Sequence, residues 1–249
     1  MASIIACARQ AIIDAAYRSY YRLNDLNHEH EIWASPKRAA GVRFRSYEPL
    51  PRHCRDELLE ALCSGLGPAE VVYDVGANTG VYTLAAAATR PDVRVIAFEP
   101  DPRVVEHLRQ NVACNSFEDR VTVRTEGVGD ETGTATFHRS SYDELGSFRP
   151  GNAAAWTADV TETTTVPIVR LDDVEAPPPD HLKIDVEGFG REVLEGAAET
   201  IETHRPTVYF EPHVVDAGGT DYEVDWLRDR LDTLGYGAER LAEGWVFRP

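Results

Sequence analysis

The sequence of 249 residues predicts an α/β fold in which helices cover both faces of a parallel sheet. From residue 70 onward, short apolar runs rich in β-branched residues alternate with helical patterns, and a glycine-rich turn joins the first run to a helix. The hydrophobic content of 43% suffices for one large core. We therefore predict a domain over residues 69–249, with residues 1–68 as a helical extension packed on it, because this extension has too little apolar sequence to fold alone.

The extension contains three predicted elements. Apolar residues at helical spacing predict an amphipathic helix from Ser3 to Leu23, packed on the domain because its polar face is not strongly cationic. A polar stretch over residues 24–36 follows, then a short strand at residues 42–45 and a helix at residues 55–64. No apolar stretch reaches the roughly 18 residues that a membrane span requires, so we expect a cytoplasmic protein without a transmembrane segment.

The domain is predicted to alternate strands and helices along most of its length. The predicted strands are Val71–Val75, Val93–Phe98, Val121–Thr125, His181–Val186 and Thr207–Phe210, and the helices between them are Thr79–Thr89, Pro102–Asn115 and Arg191–His204. An irregular insertion at residues 130–170 interrupts this order and contains two short strands, Thr134–His138 and Thr164–Val169. A helix, Asp221–Leu234, and a hairpin, Tyr236–Leu241 with Gly244–Phe247, complete the chain.

The chain is strongly acidic, with 25 Lys and Arg against 42 Asp and Glu and a net charge of −17. Such a chain repels phosphate backbones, so no nucleic acid partner is expected. Only Lys37 and Lys183 are lysines, and the other basic residues are arginines. This composition resembles that of proteins from salt-loving microbes, in which acidity reflects the solvent and not the partner.

A glycine-rich turn follows the first buried strand. It comprises Asp74, Val75, Gly76, Ala77, Asn78, Thr79 and Gly80. Gly76 permits a sharp turn and Gly80 a close helix–strand contact, so backbone N–H groups are expected to converge on a ligand's negative group. Glu99, followed by Pro100, ends the second strand and is placed to accept the hydroxyl protons of an adenosine ribose. The loop and this carboxylate together predict a nucleoside cofactor.

The identity of the cofactor follows from Asn78 and Asp74. Asn78 stands where dinucleotide-binding loops have the glycine that admits a pyrophosphate, which disfavours NAD. Asp74 stands two residues before the first glycine and is expected to receive the ammonium group of an amino acid. S-Adenosylmethionine carries an ammonium, a carboxylate and no phosphate, so we predict S-adenosylmethionine as the cofactor.

A second group of ionisable residues lies at the ends of the fourth and fifth strands. Asp185 and Glu187 should reach the crevice beyond the carboxyl end of the sheet. Lys183, inside an apolar strand, should pair with Asp74, Asp185 or Glu211, because an unpaired buried ammonium is costly. Helix N-capping ahead of Arg191 is an alternative explanation for carboxylates at positions 185 and 187.

His213 follows the fifth strand and is the first candidate for a general base, with Glu187 or Asp185 second. Methyl transfer to oxygen needs such a base to remove the acceptor's proton. A solvated loop histidine is an equally good interpretation of the sequence. Asp185, Glu187, Glu211 and His213 could also hold a divalent ion, although no ligand spacing identifies a metal.

Five motifs occur in the order typical of one family. They are Asp74–Gly80, Ala97–Pro100, Leu171–Asp173, Lys183–Gly188 and Val193–Ala197. In this respect the chain resembles the FkbM-type S-adenosylmethionine-dependent methyltransferases. The resemblance implies a Rossmann-like class I methyltransferase fold, with a seven-stranded, mostly parallel sheet, helices on both faces and an antiparallel last strand. It also implies that Gly127 and Val128 border the adenine.

The resemblance implies O-methylation, commonly of sugars or polyketide-type natural products. We therefore expect a methyltransferase acting on a hydroxyl or carboxyl of a small molecule or glycan, such as a surface or lipid-linked sugar, with the insertion at residues 130–170 facing the acceptor. Relatives often carry an Asn before a Gly-Ser pair, and this chain has Leu145 there. The alternatives are a nucleic-acid methyltransferase, an NAD-dependent oxidoreductase and a non-catalytic nucleoside-binding module. The first is disfavoured because this chain lacks the Pro-Pro-aromatic string with which amino-methylating enzymes hold a flipped base. The sequence leaves the oligomeric state open.

Overall fold

A computed structural model describes residues 2–49, 55–155, 158–213 and 219–249. The elements before the insertion are helices α1 (Ala2–Glu29), α2 (Glu57–Gly65), α3 (Val81–Thr89) and α4 (Pro102–Cys114) and strands β1 (Ser35–Ala39), β2 (Val42–Ser46), β3 (Val71–Val75), β4 (Arg94–Phe98) and β5 (Val121–Arg124). The later elements are β6 (Gly127–Val128), β7 (Gly133–Ser140), α5 (Pro150–Ala153), β8 (Val160–Val169), β9 (His181–Ile184), α6 (Gly190–Glu195), α7 (Ala198–His204), β10 (Thr207–Phe210), α8 (Gly219–Thr233), β11 (Gly237–Arg240) and β12 (Trp245–Arg248). Two 3₁₀ turns lie at Asp143–Leu145 and Leu171–Asp173.

The central sheet has seven strands in the order β11-β12-β10-β9-β3-β4-β5. Strands β10, β9, β3, β4 and β5 are parallel, whereas β12 runs antiparallel to β10 and β11. The predicted fold, a mostly parallel sheet with an antiparallel last strand, is confirmed. The strand order changes direction between β9 and β4, with β3 in the centre, and at such a point parallel α/β sheets open a crevice beyond their strand ends.

Helices cover both faces of this sheet because alternate residues of each strand point to opposite faces. On one face, Val72 and Val95 pack with α2, α3 and α4. On the other face, Tyr73 and Ile96 pack with α6, α7 and α8. Strand β3 is buried at all five positions, as a central strand between two helical layers must be.

The N-terminal segment contains more structure than predicted. Helix α1 extends to Glu29, six residues beyond its predicted end, and the polar stretch that follows includes strand β1, which pairs antiparallel with β2. Phe44 of β2 is buried in the same core cluster as α2 and α3, so the hairpin is attached to the domain. Tyr21 of α1 stacks on Tyr142 of the insertion. Within the described residues no helix has the length and apolar character needed to cross a membrane.

The insertion forms a small sheet of its own, in the order β6-β8-β7. Strands β7 and β8 are longer than predicted and form an antiparallel pair, with a register shift between Arg139 and Ser140. Strand β6 was not predicted, since two residues are too few to give a periodic pattern.

The predicted helix at residues 191–204 is two helices, α6 and α7, separated at Gly196 and Ala197. Gly196 packs so closely on the backbone of Gly129 that a Cβ atom there would overlap its carbonyl oxygen. The Asp172 carboxylate accepts hydrogen bonds from the backbone N–H of Thr200 (2.8 Å) and of Glu199 (3.2 Å), which fixes the start of α7. Tertiary contacts therefore override the continuous helical pattern.

Candidate active site

A cavity of about 810 Å³ opens where β3, β4, β9 and β10 end. It is lined by the loops that follow these strands, by the insertion and by the N-terminal hairpin. The structure brings most of the predicted site residues to this one cavity: Gly76, Ala77, Asn78, Thr79, Gly80, Glu99, Pro100, Gly127, Val128, Lys183, Asp185, Glu187 and His213. Asp74 does not line it.

The glycine loop has the tight conformation that its sequence predicts. Gly76 has φ of +75° and Gly80 of +98°, in the left-handed region that favours glycine. A Cβ atom on Gly76 would overlap the carbonyl oxygen of Asp185, and one on Gly80 would overlap the side chain of Leu108. Gly76 thus lets the loop lie against the end of β9, and Gly80 lets α3 begin against α4.

The backbone N–H groups of the loop bond within the protein, contrary to the expectation that they receive a ligand's negative group. Those of Gly76 and Ala77 donate to the carbonyl of Phe98 (3.1 and 3.0 Å), and that of Asn78 donates to the Glu99 carboxylate (2.9 Å). Those of Thr79 and Gly80 donate to the Asn78 side chain and the Ala77 carbonyl. The ends of β3 and β4 are close enough for these bonds to replace a ligand.

Glu99 lies between the loop and α4. Its Oε2 accepts the N–H of Asn78 and its Oε1 accepts the N–H of Asp101, each at 2.9 Å. Burial raises the pKa of Glu99 to about 7, and these two hydrogen bonds oppose the rise. Each oxygen keeps a further lone pair, so the carboxylate can still accept the hydroxyl groups of a ribose in the cavity. The residues present therefore fit the nucleoside end of S-adenosylmethionine.

Asp74 has a different position from the one expected for an ammonium-binding group. It is fully buried, its Oδ2 accepts the hydroxyl of Thr83 (2.6 Å), and its Oδ1 lies 3.0 Å from Lys183 Nζ. Lys183 also donates to the Gly76 carbonyl (2.9 Å) and lies 3.4 Å from Asp185 Oδ2. Of the three predicted partners, Asp74 and Asp185 form ion pairs with Lys183. The Asp74 carboxylate thus positions Lys183 beneath the glycine loop, and Lys183 stabilises the loop through its hydrogen bond to the Gly76 carbonyl.

Burial disfavours the charged form of Lys183, but the charges of Asp74 and Asp185 outweigh it and raise the lysine pKa. Asp185 is half-buried, which by itself would raise the pKa of its carboxyl, but the adjacent Lys183 and His213 hold that pKa well below the usual range. Lys183 is therefore a fixed positive charge and Asp185 a fixed negative one, and neither can exchange a proton near neutral pH.

His213 lies between two carboxylates. Its Nε2 is 2.8 Å from Asp185 Oδ1 and its Nδ1 is 3.3 Å from Glu187 Oε2. Burial lowers the pKa of His213, but the hydrogen bond and charge of Asp185 raise it to about 9. Burial raises the pKa of Glu187 to about 7, and the adjacent His213 opposes the rise. The histidine is thus an ion-paired residue on the cavity wall and not a solvated loop residue.

The capping interpretation of the two carboxylates also fails. The residue that caps α6 is Phe189, and no side chain donates or accepts a capping hydrogen bond there. Glu187 instead contacts the insertion, whose Ser147 hydroxyl donates to the Glu187 carbonyl at 2.5 Å. Neither carboxylate caps α6, and both residues line the cavity.

Asp185, Glu211 and His213 each offer one atom within 4.8 Å of the others, a spacing compatible with a metal ion. However, His213 and Asp185 are hydrogen-bonded to each other, and the Lys183 ammonium lies 3.4 Å from Asp185. Burial and the charge of Asp185 raise the pKa of Glu211 to about 8. These contacts account for the cluster as an Asp185–His213 pair with Glu211 beside it.

Sequence reasoning missed several residues of the cavity wall: Tyr20, Tyr21, Lys37, Phe44, Glu48, Tyr82, Phe148 and Asn152. Most of them come from the N-terminal segment and the insertion, which reach the cavity only through tertiary packing. One signal was available for Lys37, because it is one of only two lysines in the chain.

Comparisons with known proteins identify the family of this chain. A family model described as the methyltransferase FkbM domain matches residues 74–237. The chain is 34% identical over 207 residues to 31-O-demethyl-FK506 methyltransferase FkbM of Streptomyces tacrolimicus, covering 72% of this chain and 76% of the relative. It is 25% identical over 134 residues to the hexuronic acid methyltransferase AglP of Haloferax volcanii, covering 54% of this chain and 52% of the relative.

A third relative is the 2-O-methyltransferase NoeI of Sinorhizobium fredii, 29% identical over 153 residues, covering 55% of this chain and 61% of the relative. Among solved structures, methyltransferase FkbM from Methylobacillus flagellatus superposes with a TM-score of 0.52 at 19% identity, covering 72% of this chain and 43% of that one. This likeness supports the class I methyltransferase fold. On the family match and the first relative, the chain belongs to the FkbM family of S-adenosylmethionine-dependent methyltransferases.

Proposed function

We propose that the protein transfers the methyl group of S-adenosylmethionine to an oxygen atom of a small molecule or glycan. The observation that carries the proposal is the group Asp185–His213–Glu187 on the wall of the cavity that also contains Glu99. Glu99, with Gly127 and Val128, would hold the nucleoside, and Asp185 lies where it can receive the ammonium in place of Asp74. The bound cofactor supplies an activated methyl group on sulfur.

The protein's own contribution is to orient the acceptor and to remove its proton. A base is most effective when its pKa lies near the working pH, and among these groups Glu187, with a pKa of about 7, meets that condition. His213, with a pKa of about 9, is protonated near neutral pH and cannot accept a proton there. We therefore assign proton removal to Glu187 and charge stabilisation to His213, which reverses the order expected from the sequence.

The names of the relatives support oxygen as the acceptor atom. FkbM is named for the 31-O position of its substrate, NoeI for a 2-O position and AglP for hexuronic acid. A hydroxyl acceptor carries a proton that a base must remove, whereas a carboxylate acceptor does not at neutral pH. A base with a pKa of about 7 on the cavity wall favours the hydroxyl.

A nucleic-acid methyltransferase is less well supported. The chain carries a net charge of −17, which repels a phosphate backbone on average. Residues 185–188 read Asp-Val-Glu-Gly and lack the Pro-Pro-aromatic string that holds a flipped base. The cytoplasmic location and the domain boundary at residue 68 remain predictions.

The test is transfer of labelled methyl groups from S-adenosylmethionine to a panel of glycolipid, free hydroxylated and uronic-acid acceptors, with RNA as a further arm. Glu187→Gln should lower the rate by about 10²–10⁴-fold on a hydroxyl acceptor and leave cofactor binding unchanged. A loss of rate below about 3-fold would show that Glu187 is not the base. That result is the one expected for a carboxylate acceptor, which has no proton to remove at neutral pH. Label found in RNA, or in none of the acceptors, would contradict the proposal.

A further inference from the structure

Both lysines of this arginine-rich chain line the same cavity. Lys183 has three acceptors beneath the glycine loop, namely Gly76, Asp74 and Asp185. Lys37, on β1 of the N-terminal hairpin, is half-buried, and its ammonium donates to the backbone carbonyl of Glu48. This bond uses one of three N–H donors. The Lys37 ammonium therefore lies on the cavity wall with N–H donors left for a ligand.

Lys37 is linked to the glycine loop by a chain of hydrogen bonds. The Glu48 carboxylate accepts from Asn111 Nδ2 at 2.9 and 3.2 Å. The same Asn111 nitrogen donates to the carbonyl of Thr79 at 2.9 Å, and Thr79 lies two residues before the start of α3. Phe44, the strand partner of Lys37, packs in the core cluster that contains α3. Lys37 is thus held on the side of the cavity where α3 begins.

The ligand that the loop predicts still lacks a partner for its carboxylate. The N–H groups of residues 76–80 bond to protein acceptors, so the loop does not supply one. Arg38 also lines the cavity, but Arg38 is exposed, whereas Lys37 is half-buried and bonded to the Glu48 carbonyl. His213 is paired with Asp185. Lys37 is therefore the remaining half-buried cation of the cavity wall within the described residues.

We infer that Lys37 binds the carboxylate of the amino-acid portion of S-adenosylmethionine, so that the N-terminal hairpin completes the cofactor site. The inference rests on the proposed function, since it takes S-adenosylmethionine as the ligand. The ammonium of the cofactor's amino-acid portion would then bind at the end of β9, and its carboxylate would bind at β1.

The test compares binding of two ligands that differ only in the carboxylate, S-adenosylmethionine and its decarboxylated analogue, by isothermal titration calorimetry. Hydrogen bonds to charged groups contribute about 1.5–3 kcal/mol, so Lys37→Met should weaken S-adenosylmethionine binding about 10-fold or more. Its affinity for the decarboxylated analogue should change by less than about 2-fold. Lys37→Arg, which keeps the charge, should retain part of the affinity.

Arg43→Met is the matched control, because it removes the same charge from the same hairpin at a residue that does not line the cavity. It should leave both affinities unchanged. Equal weakening of both ligands by Lys37→Met would indicate a structural role and overturn the inference. Unchanged S-adenosylmethionine binding with a raised KM for an acidic acceptor would assign Lys37 to the acceptor's carboxylate, which also overturns it. If the wild-type protein binds neither ligand, the proposed function itself fails.

Discussion

Lys183→Met should destabilise the protein severely, because it leaves a buried carboxylate without its counter-ion. The lysine is 2% exposed and Asp74 is fully buried, with their charged atoms 3.0 Å apart. Methionine has a similar length and no charge, so the substitution removes the ion pair with little change in volume. Removing one partner of a buried pair costs about 3–5 kcal/mol, out of a typical total of roughly 5–15 kcal/mol.

The second partner gives a sharper form of this prediction. Asp74→Asn alone should also be destabilising, since it leaves the Lys183 ammonium with only the more exposed Asp185 as a counter-ion. The double variant Lys183→Met/Asp74→Asn leaves neither charge in the buried pair. Its loss should therefore fall short of the sum of the two single losses by about 1–3 kcal/mol, as expected for residues in contact.

Urea unfolding followed by circular dichroism, with linear extrapolation to water, measures these free energies. Arg43→Met, at an exposed position of the hairpin, should lie within about 0.5 kcal/mol of wild type. A loss below about 1 kcal/mol for Lys183→Met, or strict additivity in the double variant, would refute the view that Asp74 and Lys183 form a buried structural pair.

Three further predictions concern the loop and the acid–base groups. Gly76→Ala should lower the free energy of unfolding by more than about 1 kcal/mol, because φ is +75° and a Cβ atom would overlap the end of β9. Gly133→Ala is the control and should be close to neutral, because there is open space around Gly133. Equal melting temperatures for the two variants would contradict this prediction. The kcat/KM should rise as pH increases through about 7, where Glu187 loses its proton. It should fall above about 9, where His213 loses its positive charge. A pH profile without the rise near 7 would exclude Glu187 as the base. Glu99→Gln, which removes the charge that accepts ribose hydroxyls, should weaken S-adenosylhomocysteine binding at least about 10-fold by calorimetry, and unchanged binding would remove that residue from the cofactor site.

Periodicity predicted the sheet well because the central strands lie between two helical layers. Strand β3 is buried at every position and is apolar except at Asp74, and a short run of this kind is typical of a buried strand. Strand β1, by contrast, consists of Ser-Pro-Lys-Arg-Ala, and its structure comes from pairing with β2 and from contacts that no local pattern encodes. One such contact joins the Arg45 side chain to the carbonyl of Ala34 at 3.0 Å.

The site residues could be predicted from the sequence because the carboxyl ends of parallel strands lie at one edge of the sheet. The face of the sheet to which a side chain points must be worked out separately, from the alternation along the strand. Val71, Tyr73 and Val75 of β3 face one helical layer, so period-two alternation places Asp74 with Val72 on the opposite face, beneath α3. Applied to the sequence, this alternation would have moved Asp74 away from the ligand. It would also have indicated a buried partner for its charge.

The roles of the two candidate bases depend on contacts that the sequence does not contain. His213 is 28 residues from Asp185, and only the pairing of β9 with β10 brings the two side chains to 2.8 Å. That contact keeps the histidine protonated, and the protonated histidine in turn limits how far burial can raise the pKa of Glu187. Without Asp185, His213 would be closer to neutral and would itself be the better base. An Asp185→Asn substitution should therefore shift proton removal toward His213, which would appear as a change in the shape of the pH profile, with loss of the alkaline limb.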